Sequence, residues 1–267
     1  MTSGDPSYSE LSAIYDREAV IMANHEVAPN TFLLKWHSPE MAAEARPGQF
    51  VMIRTGTALD PLLPRPFSIC SVRDNSEIHI LYRIVGRGTV ALSRVPEGGR
   101  ISVMGPLGNG FDLTRIDRPA VLVGGGIGIA PLILLYERLG MEKCIFLMGF
   151  PGRGDVIPLE ALDLSEAPVH IATDDGTMGH AGLVTELLEA QLSHEENRGL
   201  RVYACGPQAM LRRVAELTTK RDIHCQVSLE AHMACGLGAC QGCAVEAAPG
   251  RARAYHHVCR DGPVFDA

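Results

Sequence analysis

Four cysteines crowded into the C-terminal end constrain this chain more than any other feature. Cys235, Cys240, Cys243 and Cys259 follow the spacing C-x4-C-x2-C-x15-C within MACGLGACQGC and HHVC. Three thiolates on one short loop, with a fourth returning from downstream, form the arrangement that ligates a plant-type [2Fe–2S] cluster. Gly236, Gly238 and Gly242 let such a loop wrap closely around an inorganic core and aim its N–H groups at the sulfurs. Two other readings compete. A four-cysteine zinc site usually pairs two C-x2-C knuckles, and here one knuckle follows an x4 gap. Disulfides suit small secreted domains, whereas residues 1–13 (MTSGDPSYSELSA) lack the basic and apolar regions of a secretory signal. A [2Fe–2S] cluster moves one electron at a time, so another centre in the chain has to supply or accept electrons.

Composition narrows the class. With 267 residues the chain has room for two domains or slightly more, and 46% hydrophobic residues suffice for packed cores. A net charge of −7 without any lysine- or arginine-rich run argues against a nucleic-acid partner. No uninterrupted apolar stretch is long enough to span a bilayer, so no membrane role is expected. Free thiols then imply a reducing, cytoplasmic setting. Cys70, Cys144, Cys205 and Cys225 lie among apolar, strand-like residues, where packing is the expected role.

The rhythm of the chain changes twice. From about 16 to 113, six short segments rich in β-branched and aromatic residues (AVIMANHEV, TFLLKWH, QFVMIRT, FSICSV, EIHILYRIV, RISVMG) alternate with breakers such as Pro47-Gly48 and Gly98-Gly99. That spacing predicts an antiparallel barrel, with one short helix around Thr89 to Arg94. After Pro119, buried-strand candidates (AVLVGG, CIFLMGF, VHIATD, LRVYACG, HCQVSLE) mostly alternate with helix patterns (PLILLYERLG, AGLVTELLEAQL, PQAMLRRVAELTTKR). Such alternation predicts a doubly wound parallel sheet. From about 228 the chain turns cysteine- and glycine-rich.

Phosphate-binding candidates sit where strands meet helices. The first strand of the α/β segment runs into Gly124, Gly125, Gly126, Ile127 and Gly128, followed by Ile129-Ala130-Pro131. Glycines at such a turn let the backbone approach a pyrophosphate, and the helix N-terminus adds partial positive charge. It is not the G-x-G-x-x-G fingerprint, and a merely tight turn remains an alternative. Cys205-Gly206-Pro207 and Ala172-Thr173-Asp174-Asp175-Gly176 follow other strands and open on the same sheet edge. In the barrel, Arg65-Pro66-Phe67-Ser68 offers a cation for phosphate, an aromatic for a flavin ring and a hydroxyl for a ring nitrogen. Tyr82-Arg83 leads on to Gly88-Thr89, a second place for phosphate oxygens at the start of a short helix.

In this order the motifs resemble the ferredoxin–NADP reductase superfamily. More closely, EAHMACGLGACQGCAVE and VCRDGPVF resemble the electron-transfer subunits of class 1B dihydroorotate dehydrogenases, and the similarity spans residues 16 to 267. It implies an α+β multi-domain fold: an antiparallel β-barrel FAD domain (16–113), a doubly wound α/β NAD-binding domain (114–227) and a small C-terminal [2Fe–2S] module (228–267). Arg65, Pro66, Phe67 and Ser68 would contact the flavin, with Ser68 serving hydride transfer. Leu81, Tyr82 and Arg83 would line its site, and Gly88 and Thr89 would bind its pyrophosphate. Gly124, Gly125, Gly126, Gly128, Cys205, Gly206 and Pro207 would frame the nicotinamide nucleotide, and the four cysteines would ligate the cluster. The resemblance further implies an FMN-containing catalytic subunit that oxidises dihydroorotate in pyrimidine biosynthesis, in a heterotetramer with two copies of each chain. Electrons would pass through the cluster and FAD to NAD+.

Several alternatives remain open at this level. Arg153, in GFPGRGD, could receive a 2′-phosphate and favour NADP. The chain could also serve a sulfite reductase, a hydrogenase or an NADPH:ferredoxin enzyme, act as a stand-alone reductase, or be a zinc-stapled binding module.

Overall fold

Turn residues and alternating apolar positions organise the N-terminal half. A computed structural model describes residues 13–55, 60–114, 119–165, 167–193, 200–250 and 253–267. The segment read above for a secretory signal lies, apart from Ala13, outside them. Six strands, β1 (Tyr15–Ala28), β2 (Thr31–His37), β3 (Phe50–Arg54), β4 (Arg65–Arg73), β5 (Glu77–Arg83) and β6 (Arg100–Leu107), close into an antiparallel barrel of order β1-β2-β5-β4-β3-β6. Their inward residues, among them Ile21, Leu34, Trp36, Val51, Ile69 and Ile80, form one buried cluster. Closure removes the unpaired strand edges that an open sheet would expose.

Among the described residues two helices interrupt the barrel. α1 (Pro39–Glu44) was not anticipated; Pro39 suits a first helical turn, and Met41 and Ala42 are buried. α2 (Arg87–Ser93) begins two residues before the expected Thr89. The reason is local: the Thr89 hydroxyl accepts the N–H groups of Val85 (2.9 Å) and Gly86 (3.2 Å), so Thr89 lies inside the first turn.

The second half follows the expected alternation. β7 (Ala120–Gly125), α3 (Ala130–Leu139), β8 (Cys144–Phe150), β9 (Val169–Thr173), the short β10 (His180–Ala181), α4 (Val184–Leu192), β11 (Arg201–Cys205), α5 (Gln208–Thr219) and β12 (Cys225–Ser228) build a parallel sheet of order β10-β9-β8-β7-β11-β12. The order reverses beside β7, which places a crevice beyond the carboxyl ends of β7 and β11. Alternate residues face opposite layers. Leu122, Phe146 and Met148 pack against α3, while Val121, Val123 and Leu147 pack against α4 and α5.

α3 belongs to two cores at once. Its Leu134 joins the barrel's interior cluster, and Leu33, Cys70 and Leu81 of the barrel join the cluster around α3. Cys70, Cys144, Cys205 and Cys225 are all buried. Burial pushes the Cys144 and Cys225 thiols up to about 12, so they pack as small apolar groups rather than react.

The C-terminal module adds β13 (Ala244–Glu246), β14 (Tyr255–His257), α6 (Val258–Asp261) and β15 (Val264–Asp266). β13 and β14 form a separate hairpin, whereas β15 pairs antiparallel with β12 and extends the parallel sheet. The last residues thus cover an edge that would otherwise stay unpaired. No described helix is long and apolar enough to cross a membrane.

Leu122, at the centre of β7 and fully buried, tests this packing. Leu122→Ala should cost about 2–5 kcal/mol, read as a lower urea midpoint in a denaturation curve followed by circular dichroism.

Candidate functional site

One cavity of about 400 Å³ opens between the barrel, the sheet's carboxyl edge and the segment entering the cysteine loop. Arg65, Pro66, Phe67, Ser68, Leu81, Tyr82, Arg83, Gly88 and Thr89 line it, together with Gly128 and Cys205 from the sheet. The structure therefore brings both sets of motifs onto one space, although they are far apart in sequence.

β4 presents Arg65-Pro66-Phe67-Ser68 to the cavity. The Phe67 ring stands edge-on to Tyr82 with centroids 5.6 Å apart, an arrangement favoured by the ring quadrupoles. Tyr82 forms the floor of the cavity. Its ring is 1% exposed, and its hydroxyl donates to Asn24 Oδ1 at 3.0 Å. Burial pushes that phenol well above its ordinary range, so Tyr82 shapes the site and does not move protons near neutral pH. Arg65 crosses to α2, where an added Cβ on Gly88 would stand 2.8 Å from its Nε. Arg83 reaches out of the barrel instead, pairing with Asp155 after β8 at 2.8 Å.

The nucleotide-side glycines divide by role. Gly128 lines the cavity, and a Cβ there would come within 2.5 Å of the Cys205 carbonyl oxygen and 2.8 Å of Gly206 Cα. No side chain fits against backbone at that distance. Gly124, Gly125, Gly126, Gly206 and Pro207 do not line this cavity. Gly124 packs on Ile129, and Gly125 packs on Pro207 and Met210, which holds the two glycine turns together. Gly126 opens the 3-10 turn Gly126–Ile129 that leads into α3.

Farther along the sheet edge, Asp175 accepts the N–H (3.0 Å) and hydroxyl (2.6 Å) of Thr177. Those hydrogen bonds hold its carboxyl below the usual range. The same Thr177 hydroxyl accepts the Arg153 N–H at 2.8 Å.

Sequence reasoning missed part of the wall. Ser228, the last residue of β12, and Leu229 to Met233, ahead of Cys235, line the cavity, as does Phe50. Within that stretch Glu230 lies at the exposed rim, and the protein packed around its carboxyl raises it above its ordinary value. Burial also pushes the nearby Cys205 thiol up to about 12, with the negative charge of Glu230 adding to it. Glu230 to Met233 open the segment EAHMACGLGACQGCAVE, but nothing local in it marks a cavity wall, because its place depends on β12 ending at the crevice.

The four cysteines lie around one loop as two pairs. The Cys243 thiol contacts Cys259 Sγ at 3.2 Å, and both residues are buried. Cys235 Sγ accepts the N–H groups of Leu237 and Cys240, each at 3.4 Å. Gly238, at φ +77°, turns its N–H onto Cys259 Sγ at 3.1 Å. That left-handed backbone is one glycine adopts without the Cβ penalty. The N–H groups of Cys240 and Leu237 outweigh the burial that would raise the Cys235 thiol and bring it down to about 7. Burial, followed by the neighbouring Cys243, pushes Cys259 up to about 12. Among the described residues no three His, Cys, Asp or Glu side chains converge as a single metal ion would require. Two thiol pairs with backbone donors aimed at sulfur fit a two-iron cluster, one pair for each iron.

The comparisons agree with this geometry. Residues 230–267 match the family model described as the iron-sulfur cluster binding domain of dihydroorotate dehydrogenase B. The chain is 38% identical over 259 residues to the dihydroorotate dehydrogenase B (NAD(+)) electron transfer subunit of Desulforamulus reducens, covering 96% of this chain and 97% of that one. It is 39% identical over 257 residues to the subunit of the same name from Geobacillus kaustophilus, covering 94% and 97%. A solved structure of an NADH-dependent reduced ferredoxin-NADP oxidoreductase superimposes with a TM-score of 0.80 at 28% identity, over 93% of this chain and 87% of that one. Phthalate dioxygenase reductase shares the fold, with a TM-score of 0.63 at 19% identity over 84% and 70%.

Gly128→Ala should lower the rate at which NADH reduces the bound flavin by tenfold or more, with flavin content unchanged. Anaerobic stopped-flow absorbance checks this.

Proposed function

The chain belongs to the family of dihydroorotate dehydrogenase B electron transfer subunits, and we propose that it divides that task among residues 16–113 for FAD, 114–227 for NAD and 228–267 for a [2Fe–2S] cluster. Electrons released from dihydroorotate by a catalytic subunit leave through this chain to NAD+. FAD, when bound, exchanges the hydride of a nicotinamide for the single electrons of an iron–sulfur cluster.

The observation that carries the assignment of residues is the shared cavity. Flavin-side residues from β4, β5 and α2 line it together with Gly128 and Cys205 from the nucleotide sheet. Arg65 would pair with flavin phosphate, and Phe67 and Leu81 would lie along the ring system. Ser68 would offer its hydroxyl to a ring nitrogen and orient the acceptor for hydride transfer. Gly88 and Thr89 would set the helix start that faces the pyrophosphate. The tight turn at Gly128, backed by Gly124, Gly125, Gly126, Gly206 and Pro207, would admit the nicotinamide end of NAD. Cys205, buried at the end of β11, would supply a water-poor wall beside it. The similarity to subunits named for NAD(+) supports NAD over NADP.

Cys235, Cys240, Cys243 and Cys259 would hold the cluster. Cys240 is exposed, which supports docking of the FMN-containing catalytic subunit on this face. A heterotetramer with two copies of each chain follows the family expectation. All eight cysteines are free of disulfides, in keeping with a cytoplasmic setting.

Cys240→Ser should abolish dihydroorotate-dependent reduction of NAD+ in the co-expressed complex. NADH-driven reduction of the flavin should persist within about twofold, since only the cluster is interrupted. Full partner-linked turnover in this variant would sink the relay. An anaerobic spectrum before and after NADH provides the companion check, with flavin bands and a broad iron–sulfur shoulder both expected to bleach.

A further inference from the structure

β4 and α3 leave the cavity in the same direction. The opening residues of β4, Arg65 to Ser68, line the cavity, as do Gly128, Ala130 and Pro131 at the start of α3. From Ser68 to Arg73 the strand advances about 16 Å, and from Gly128 to Glu137 the turn and helix advance about 14 Å. The two elements thus meet again at their far ends, and a polar clasp joins them there. Ser71, 3% exposed, donates its hydroxyl to both Glu137 oxygens at 3.1 and 3.3 Å. Arg73 Nη2 lies 2.7 Å from Glu137 Oε1 and 3.1 Å from Asp163 Oδ2.

Between site and clasp the contact is apolar. Cys70 of β4 packs in the cluster around α3, and Leu134 of α3 packs in the barrel's cluster. Apolar burial holds the two surfaces together but is non-directional, so it leaves their register along the strand weakly defined. A partly buried carboxylate held by both a hydroxyl and a guanidinium is directional, and its loss leaves desolvated partners behind. Buried polar contacts can fix one arrangement among several of similar packing energy.

We propose that Glu137, held by Ser71 and Arg73, is a positioning residue that fixes the register of α3 against β4. Through that register it sets where the Gly128 turn stands relative to Ser68. The assignment rests on the FAD and NAD sites proposed above. Glu137 touches neither cofactor site; it acts through the helix whose first turn lines the cavity. A shift of α3 by a fraction of a turn would move the nicotinamide against the flavin and cost rate far more than affinity, because hydride transfer depends steeply on ring alignment.

The test uses the FAD-loaded complex with its catalytic partner, mixed anaerobically with NADH in a stopped-flow spectrometer. Two signals are followed: the limiting rate of flavin reduction and the long-wavelength charge-transfer absorbance of nicotinamide stacked on flavin. Glu137→Gln preserves shape and removes the charge. It is expected to lower the rate about tenfold and weaken the charge-transfer band in step, with FAD content unchanged and the Kd for NADH within about twofold. Wild-type rate and band together with a lowered melting temperature would overturn the proposal, leaving Glu137 a purely structural residue. Ser71→Ala removes a single hydrogen bond and covers the case in which Glu137→Gln does not fold. It should show a smaller loss of the same sign in both signals, and no change in either would equally overturn the proposal. If NADH fails to reduce the unmodified complex, the cofactor reading falls and the clasp with it. If it reduces unmodified and variant complexes alike, only the clasp falls.

Discussion

Much of the molecule depends on the antiparallel pairing of β3 with β4, and above all on one residue pair in it, Phe50 opposite Ser68. Phe50 is 3% exposed. It lines the cavity beside Arg65 to Ser68, and it also packs in the cluster containing Met52, Leu107, Val258, Cys243 and Cys259. One aromatic side chain therefore forms the wall between the cavity and the buried half of the cysteine loop. An aromatic suits this place because it buries a large area with few rotatable bonds and holds its shape under contact from both sides. The strand pair brings two chemically different regions within one side chain of each other, with no linker between them.

The third region reaches the same place through α3. A helix apolar over most of its surface has to be covered on more than one side, and α3 is covered by the sheet and by the barrel. Shared burial makes the two units adhere. Direction comes from polar contacts at the periphery: Glu137 with Ser71 and Arg73 at one end, and Arg83 with Asp155 across the strand ends. The Arg83 pair is about one-third exposed on each side, so solvent screens it, and such pairs contribute at most about 1 kcal/mol. Glu137 is more sheltered, and burial raises its carboxyl while Arg73 and Ser71 pull it back down. The sheltered contact is thus the better candidate for setting geometry.

What the sequence revealed follows the range of the forces involved. The barrel strands were legible because one buried face imposes a period of two, and the breakers between them act locally. The cysteine loop was legible because its ligand spacing is a local property of the chain. Helix α1 escaped notice, since six residues with alanines and one methionine give no clear period. β15 escaped because its pairing with β12 is long-range. Arg83 lines the cavity, yet its partner Asp155 is 72 residues away, beyond any motif. The Ser228 to Met233 wall was invisible for the same reason. Its residues carry no phosphate-binding pattern and matter only because β12 delivers them to the crevice.

The cysteine loop itself has a built-in polarity. Cys243 and Cys259 are buried beside Phe50 and Met52, whereas Cys240 is exposed and Cys235 half-buried. Backbone N–H groups stabilise the thiolate at Cys235, while burial disfavours it at Cys259. A two-iron group held by all four would have one side toward the flavin cavity and the other toward solvent. N–H donors reach sulfur on both sides, so its negative charge would be borne more easily on the outer side because water is available there. The inner side is packed for proximity to Phe50, and the outer side is left accessible to another protein. Burial and exposure therefore give the loop an inside and an outside, which a relay between an internal cofactor and an external partner requires.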